Sequence, residues 1–355
     1  MKDEVSGFHP GFGFLLALLA IVLAGCGPQA EQVEVSGHHQ PAMTWKVQSY
    51  WQSGTLPQEI FENFTARVGA LSGGRLQLEP LAVNMVVSPI ESLDAVAAGV
   101  IEAQHGGIAY FTGKDAAFAL LGDPQGGFET PYQMQQWMEY GGGNELAREL
   151  YGRFGGHFVG GVWYGQESLI SKRPIRSLDE FRGVKIRAPQ GIGQDIFQRL
   201  GAAPVNLPGS EVYTALERGV VDAADWGTLS MNEDLGYHRL APYPTYPGFH
   251  SMPMADIVVN MRIWRALPDD LKAIVKSAVR DFASEMVQRN ELADRRVARN
   301  AAQLGFEPVD FSEADRRRFR EISRQVWQQY AGRSPMAQRI YDSQIRFMRD
   351  IGLLD

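Results

Sequence analysis

The chain has 355 residues, 45 % of them hydrophobic, with 41 acidic against 34 basic side chains, a formal charge of −7 and one cysteine. That length supports two α/β domains of ordinary size, each with its own core. The acidic balance argues against a nucleic-acid partner, a lone cysteine excludes a disulfide framework, and the weakly repulsive global field means a small anion must be captured by a local cation.

The first feature in chain order is an apolar run, residues 12–23, closing in Leu23-Ala24-Gly25-Cys26. A membrane span needs roughly 20 apolar residues; about a dozen reads as the core of a secretory signal. The tetrapeptide reads as a lipoprotein cleavage box, although Asp3 and Glu4 offset Lys2 ahead of it. The expectation is a signal peptide over 1–25, a lipid on Cys26, and a mature protein tethered outside the cytoplasmic membrane. Residues 27–42 are polar without an apolar period, so 26–43 read as the lipidated tether; His38 and His39 within it read as solvated.

The folded part begins at Trp45. Residues 45–49 alternate as a strand, 56–71 have helical spacing, 75–81 alternate again, and 92–98 are helical up to Gly99. Strand–helix alternation of this kind predicts an α/β layer architecture. A second block opens near Val162. In it, 184–187 read as a strand broken by Pro189 and Gly191, 194–200 as a helix, and 203–207 as a strand. Ser210 reads as the N-cap of a helix over 211–218 that Gly219 stops, and 220–226 as a further strand. Residues 242–253 hold four prolines with Tyr243, Tyr246, Phe249 and His250, and look like a segment crossing between domains. A strand resumes at 257–260. Residues 268–300 contain no further proline and no glycine, which predicts a helix of about 33 residues and roughly 50 Å, long enough to span two domains. A last helical region starts at Ser312, with Asp315 three residues on, and carries Arg316-Arg317-Arg318 on what reads as a solvated face. The tail over 336–354 is amphipathic and suits packing on its own body or on a second protomer.

Catalytic patterns are missing. There is no G-x-S-x-G elbow, no H-E-x-x-H or Cys/His metal spacing, and no Walker loop or G-x-G-x-x-G after a strand. Gly141-Gly142-Gly143 falls between two helical stretches and lacks the lysine of a phosphate loop. With export and two α/β halves, this favours a binding protein over an enzyme. Arg187 ends a predicted strand, where open α/β sheets bind ligands, and a guanidinium there offers a planar fork for a carboxylate; position alone equally allows a surface salt bridge. Asp225-Trp226 end the next strand and Gln166 an earlier one. An amide oxygen, a carboxylate and a main-chain carbonyl form a hard-oxygen set suited to Na⁺ or Ca²⁺.

Several stretches together resemble the solute receptors of tripartite ATP-independent periplasmic (TRAP) transporters. They are Gly183-Val184-Lys185-Ile186-Arg187, Leu200-Gly201-Ala202, Glu211-Val212-Tyr213-Thr214-Ala215-Leu216-Glu217-Arg218-Gly219 and Asp222-Ala223-Ala224-Asp225-Trp226. Tyr110-Phe111, Gly113-Lys114, Trp137 with Gly141-Gly142-Gly143, and Tyr246-Pro247-Gly248 add to them. The resemblance covers nearly all of the chain from Trp45. It implies an α/β, two-lobed periplasmic binding fold, type II-like, with a long interdomain helix and C-terminal helices. Lobe 1 would comprise 44–162 and 252–310, lobe 2 163–251, and the terminal helices 311–355. It implies Arg187 on the ligand carboxylate and, in the branch binding 2-oxo acids or lactate, a bridging Na⁺ or Ca²⁺. Gln166, Asp225 and the Trp226 carbonyl match three of the branch's cation ligands. The fourth, an acidic residue there, falls at Ser251, and a neutral hydroxyl suits Na⁺ better than Ca²⁺. Asn84 and Tyr110 are expected as further ligand contacts. Expected partners are a small carboxylate, the small and large membrane subunits of a TRAP transporter, the membrane through the N-terminal lipid, and a second copy through the C-terminal helices. A sensory receptor, an exported enzyme on the same fold and the binding protein of an ATP-driven system are the rival readings.

Overall fold

The computed structural model describes residues 42–354, so Cys26, the signal and nearly all of the tether lie outside the described residues. In chain order the strands are β1 (Met43–Ser49), β2 (Leu76–Leu81), β3 (Ala103–Gly107), β4 (Gly156–Trp163), β5 (Ile170–Ser171), β6 (Lys185–Arg187), β7 (Ala203–Val205), β8 (Ala223–Ala224) and β9 (Met254–Asn260). They form two sheets, ordered β2-β1-β3-β9-β4 and β5-β8-β6-β7. β1 is parallel to β2 and β3, whereas β9 runs antiparallel to both its neighbours. The chain therefore leaves the first sheet at the end of β4, builds the second, and returns as β9 between β3 and β4. All seven residues of β9 are buried, as expected of a strand covered on both faces.

The helices follow from their spacing. In Leu56–Leu71, Pro57 sits in the first turn and Ile60, Phe61, Phe64 and Val68 form one buried stripe. Phe64 stacks on Phe282 of the long helix with ring centroids 4.9 Å apart; burying a side chain of this size contributes about 2–3 kcal/mol. The long helix is Asp269–Arg299, 31 residues, about 46 Å at 1.5 Å per residue. Asp269 and Asp270 lie in its first turn and Arg296 and Arg299 in its last, which suits the helix dipole at both ends. One stretch packs on β4 and helix Leu56–Leu71, another on helix Leu229–Asp234 beside the second sheet. There Asp294 accepts from Thr228 Oγ1 at 2.8 Å, Ser230 N at 2.7 Å and Ser230 Oγ at 2.6 Å. The spanning helix expected over 268–300 is thus present within a residue at each end.

Two local expectations change. The strand expected over 220–226 shrinks to β8, because the Asp225 carbonyl accepts from the Arg187 guanidinium rather than from a neighbouring strand, and Gly227 turns away at φ 64°. Ser210 is not an N-cap: it lies inside a 3₁₀ turn, Gly209–Glu211, that leads into helix Val212–Glu217. Ser312 does cap helix Glu313–Ala331, accepting from Asp315 N at 3.1 Å. Arg316, Arg317 and Arg318 form ion pairs with Asp310, Glu313 and Asp179. Of the two partners open to the amphipathic tail, its own body is one it meets: helix Pro335–Asp350 buries Met336, Ala337, Ile340 and Met348 against helices Ala117–Gly122, Gly143–Gly152 and Glu313–Ala331. Among the described residues no helix is long and apolar enough to cross a membrane.

Candidate functional site

The parallel strands β6 and β8 end side by side, and Asp225 N donates to the Arg187 carbonyl at 2.9 Å. This register brings Arg187 and Asp225 together at the carboxyl edge of the second sheet, where ligands sit in open α/β folds. Arg187 is only 2 % exposed. Its Nε donates to the Leu207 carbonyl at 2.9 Å and Nη1 to the Asp225 carbonyl at 2.5 Å; Nη2 has no protein partner among the described residues. The guanidinium is aimed by two main-chain oxygens and borders a cavity of about 70 Å³ between the two sheets. Tyr50, Trp51, Tyr110 and Trp226 supply its aromatic walls, and Asp123, Glu167, Asp225 and Ser251 its acidic and hydroxyl groups. Trp226 can lie where it does because residue 209 is glycine: a Cβ there would stand 2.1 Å from the indole Nε1.

Glu167, His250 and Ser251 arrive on the segments that cross between the sheets, whereas Asp123 ends helix Ala117–Gly122 and Asp225 follows β8. Trp163 at the end of β4 is paired with Met254 at the start of β9, so the outgoing and returning crossings run side by side. Thr245 N donates to the Leu169 carbonyl at 2.7 Å and Glu167 N to the Ser251 carbonyl at 2.9 Å. Ser251 Oγ is 2.6 Å from Glu167 Oε2 and 2.7 Å from Asp123 Oδ2. One hydroxyl carries one proton, so it donates to one carboxyl at a time. Glu167 Oε1 accepts from Tyr164 OH at 2.9 Å and Gly227 N at 3.1 Å. His250 Nε2 lies 2.8 Å from Asp225 Oδ1.

Burial dominates the electrostatics. It pushes Asp123 up to about 7, against the hydrogen bond from Ser251. Burial, then the neighbouring Asp225 charge, drives Glu167 well above the ordinary carboxylate range. Burial also raises Asp225, but His250, the hydrogen bonds from His250 and Glu167, and Arg187 outweigh it and leave Asp225 low. The cluster is therefore one carboxylate held low beside His250 and Arg187, with two carboxyls that burial raises above the ordinary range. Ligand atoms of Glu167, Asp225 and His250 all lie within 4.8 Å of one another. Three buried carboxyls, together with a Trp226 carbonyl that accepts no hydrogen bond among the described residues, form a donor set that fits a hard cation.

The expected site residues divide. Arg187, Asp225, Trp226, Ser251 and Tyr110 border the one cavity. Gln166 does not: it is half-buried beside the cluster, with Nε2 donating to the Glu129 carbonyl at 3.0 Å, and its neighbour Glu167 points in instead. Asn84 lies elsewhere, exposed on a left-handed turn at φ 62° after β2. Asp123, Glu167 and His250 were not among the expected site residues. Glu167 adjoins Gln166 and His250 adjoins Ser251; Asp123 joins the cluster only through a contact far apart in sequence.

Residues 47–333 match the family described as bacterial extracellular solute-binding protein, family 7. The chain belongs to this family. It is 28 % identical over 313 residues to a monocarboxylate 2-oxoacid-binding periplasmic protein of Nostoc sp., covering 88 % of this chain and 85 % of that one. Among solved structures it is similar to a TRAP periplasmic solute-binding protein of Rhodobacter sphaeroides in an apo open form, with 37 % identity, TM-score 0.72, and 88 % and 99 % of the two chains covered. It is also similar to a TRAP periplasmic solute-binding protein of Colwellia psychrerythraea with bound calcium and pyruvate, at 26 % identity, TM-score 0.80, and 88 % and 95 % coverage. The family is one of transport receptors, and the two-sheet, two-lobed architecture described above is its fold.

Proposed function

We propose that this receptor captures a 2-oxo or 2-hydroxy monocarboxylate of three or four carbons between its lobes and hands it unchanged to the membrane subunits of a TRAP transporter. The observation that carries this reading is the buried, pre-aimed Arg187, with one guanidinium nitrogen left toward a small cavity. The cavity is small, about 70 Å³, and walled by Tyr50, Trp51, Tyr110 and Trp226, which suits a small acid such as pyruvate or lactate.

Arg187 Nη2 would take the ligand carboxylate, and Tyr50, Tyr110 and Trp226 would exclude water around it, where charge pairing strengthens. Glu167, Asp225, the Trp226 carbonyl and Ser251 would hold a cation; when bound, it supplies positive charge to the ligand's second oxygen function. Glu167 at a position one residue from Gln166 restores a carboxylate to a set that Ser251 leaves one short, so Ca²⁺ and Na⁺ are both compatible with the donors. Cys26 would carry the lipid that keeps the receptor at the membrane outside the cytoplasm. A homodimer through the C-terminal helices would use their polar faces, because the apolar stripe is buried against the body; sedimentation of the purified protein decides it.

Calorimetric titration with pyruvate, lactate and 2-oxo acids of increasing length tests the reading, before and after chelation. Saturable binding that weakens beyond four carbons and requires Arg187 is expected, with the ligand recovered chemically unchanged. Equal affinity for all lengths, or affinity unaltered in Arg187→Ala, ends it.

A further inference from the structure

A second concavity, of about 430 Å³, lies between β4, helix Pro131–Tyr140, helix Gly143–Gly152 and the long helix. It shares no lining residue with the cleft. β4 is the edge of its sheet, and its register with β9 shifts between Phe158 and Gly160, an irregularity that bends a strand and re-aims its side chains. Gly160 then leaves the strand bare opposite the long helix: a Cβ there would stand 2.9 Å from Val279 Cγ1.

The lining is that of a site rather than a packing gap. Trp163 is 3 % exposed, and its Nε1 has no acceptor among the described residues. Asn144, 8 % exposed, lines the same wall. Indole Nε1 is a donor only, and leaving a buried polar group without a partner costs about 1–3 kcal/mol. Arg148, one helical turn beyond Asn144, and Lys276 stand at the rim. Arg280 is paired with Glu139, and Arg148 has only a long contact of 3.7 Å to Glu145. Lys276 meets no carboxylate among the described residues and sits 5.9 Å from the Trp264 ring centroid. The local field is positive: burial first, then Arg148, Lys276 and Lys272, push the nearby His157 down to about 4.

We propose that this concavity is a second ligand site, taking a small organic acid with an apolar body. Arg148 and Lys276 meet the acid group, Asn144 donates to its oxygens, and Trp163, Val159, Val279 and Ala283 carry the apolar part. The proposal is independent of the reading of the cleft.

Benzoate, hexanoate and indole-3-acetate serve as probes, in calorimetry and crystal soaks with the full mature chain. The expected result is that at least one probe binds near one per chain at millimolar concentration, equally well in wild type and in Arg187→Ala. Arg148→Gln with Lys276→Gln, changes at a half-buried and an exposed rim position, should weaken it about ten-fold or more, and Gly160→Leu should abolish it. Melting temperatures of the variants report that they are folded. Failure of all three probes, loss of binding in Arg187→Ala, or binding untouched by the paired Gln changes overturns the proposal.

Discussion

Arg187 is held by the carbonyls of Leu207 and Asp225, so its direction is set before any ligand arrives, and that lowers the entropy cost of binding. Removing one partner of a buried, charge-assisted pair costs about 2–5 kcal/mol. Arg187→Ala should therefore weaken pyruvate binding by about 30-fold to over 1000-fold in calorimetry, with Arg187→Lys between it and wild type. Ser251→Ala removes the hydroxyl that screens Asp123 from Glu167. Its stability loss in urea should be about 1–3 kcal/mol and larger at pH 8 than at pH 5, because the hydrogen bond favours ionised Asp123, which titrates at about 7. Asp256 gives a pH test away from the cleft. It is buried and accepts from Gln104, Gly106 N and Tyr151, yet burial still lifts it to about 7. A folded carboxyl raised from about 4 holds a proton that the unfolded chain has lost, so its contribution to stability falls as pH rises from about 4 to about 7. Melting temperatures of wild type should fall relative to Asp256→Asn between pH 5 and pH 8; a constant gap would contradict the burial account. Legibility in the sequence tracks locality. Arg187 was legible as the end of a strand; Asp225 and Trp226 were read onto a strand that stops at Ala224, and their expected roles came from the resemblance. Gln166 and Glu167 are adjacent on an extended crossing that has no period to say which side chain turns inward; Glu167 borders the cavity and Gln166 is half-buried beside it. Asp123 was silent because it meets Ser251 across 128 residues.

At the level of elements, the long helix was the plainest prediction: 31 residues between Pro268 and Asn300 with no glycine or proline inside. What the sequence did not disclose was its attachment, since Asp294 reads as one more acidic residue on a helix. In the fold it accepts three hydrogen bonds from Thr228 and Ser230 at the start of helix Leu229–Asp234. Asp294→Ala should cost about 1–3 kcal/mol in thermal unfolding, the price of leaving those buried donors unpaired, and Asp294→Asn should recover part of it. No change in either variant would show that the helix is not pinned there. The shortened β8 has the same lesson: a guanidinium, not a strand, claims the carbonyl that would have extended it.

At the scale of the whole molecule, the two sheets enclose a narrow cleft of about 70 Å³ between them, and Arg187 within it is only 2 % exposed. Hinge closure of two lobes about their crossing segments is the expected motion. The radius of gyration in solution scattering should be larger without ligand and fall on adding pyruvate, whereas an unchanged profile would argue for a rigid receptor. The two-lobed outline was legible from strand–helix alternation and the proline-rich crossing; the return of β9 between β3 and β4 was not, because pairing order is a tertiary property. The most direct test is a crystal structure of the protein grown with pyruvate. The account predicts the ligand carboxylate on Arg187 Nη2, between Trp226 and Tyr110, with Glu167 and Asp225 facing its other oxygen. Pyruvate bound elsewhere, or in the cleft without contact to Arg187, would contradict it.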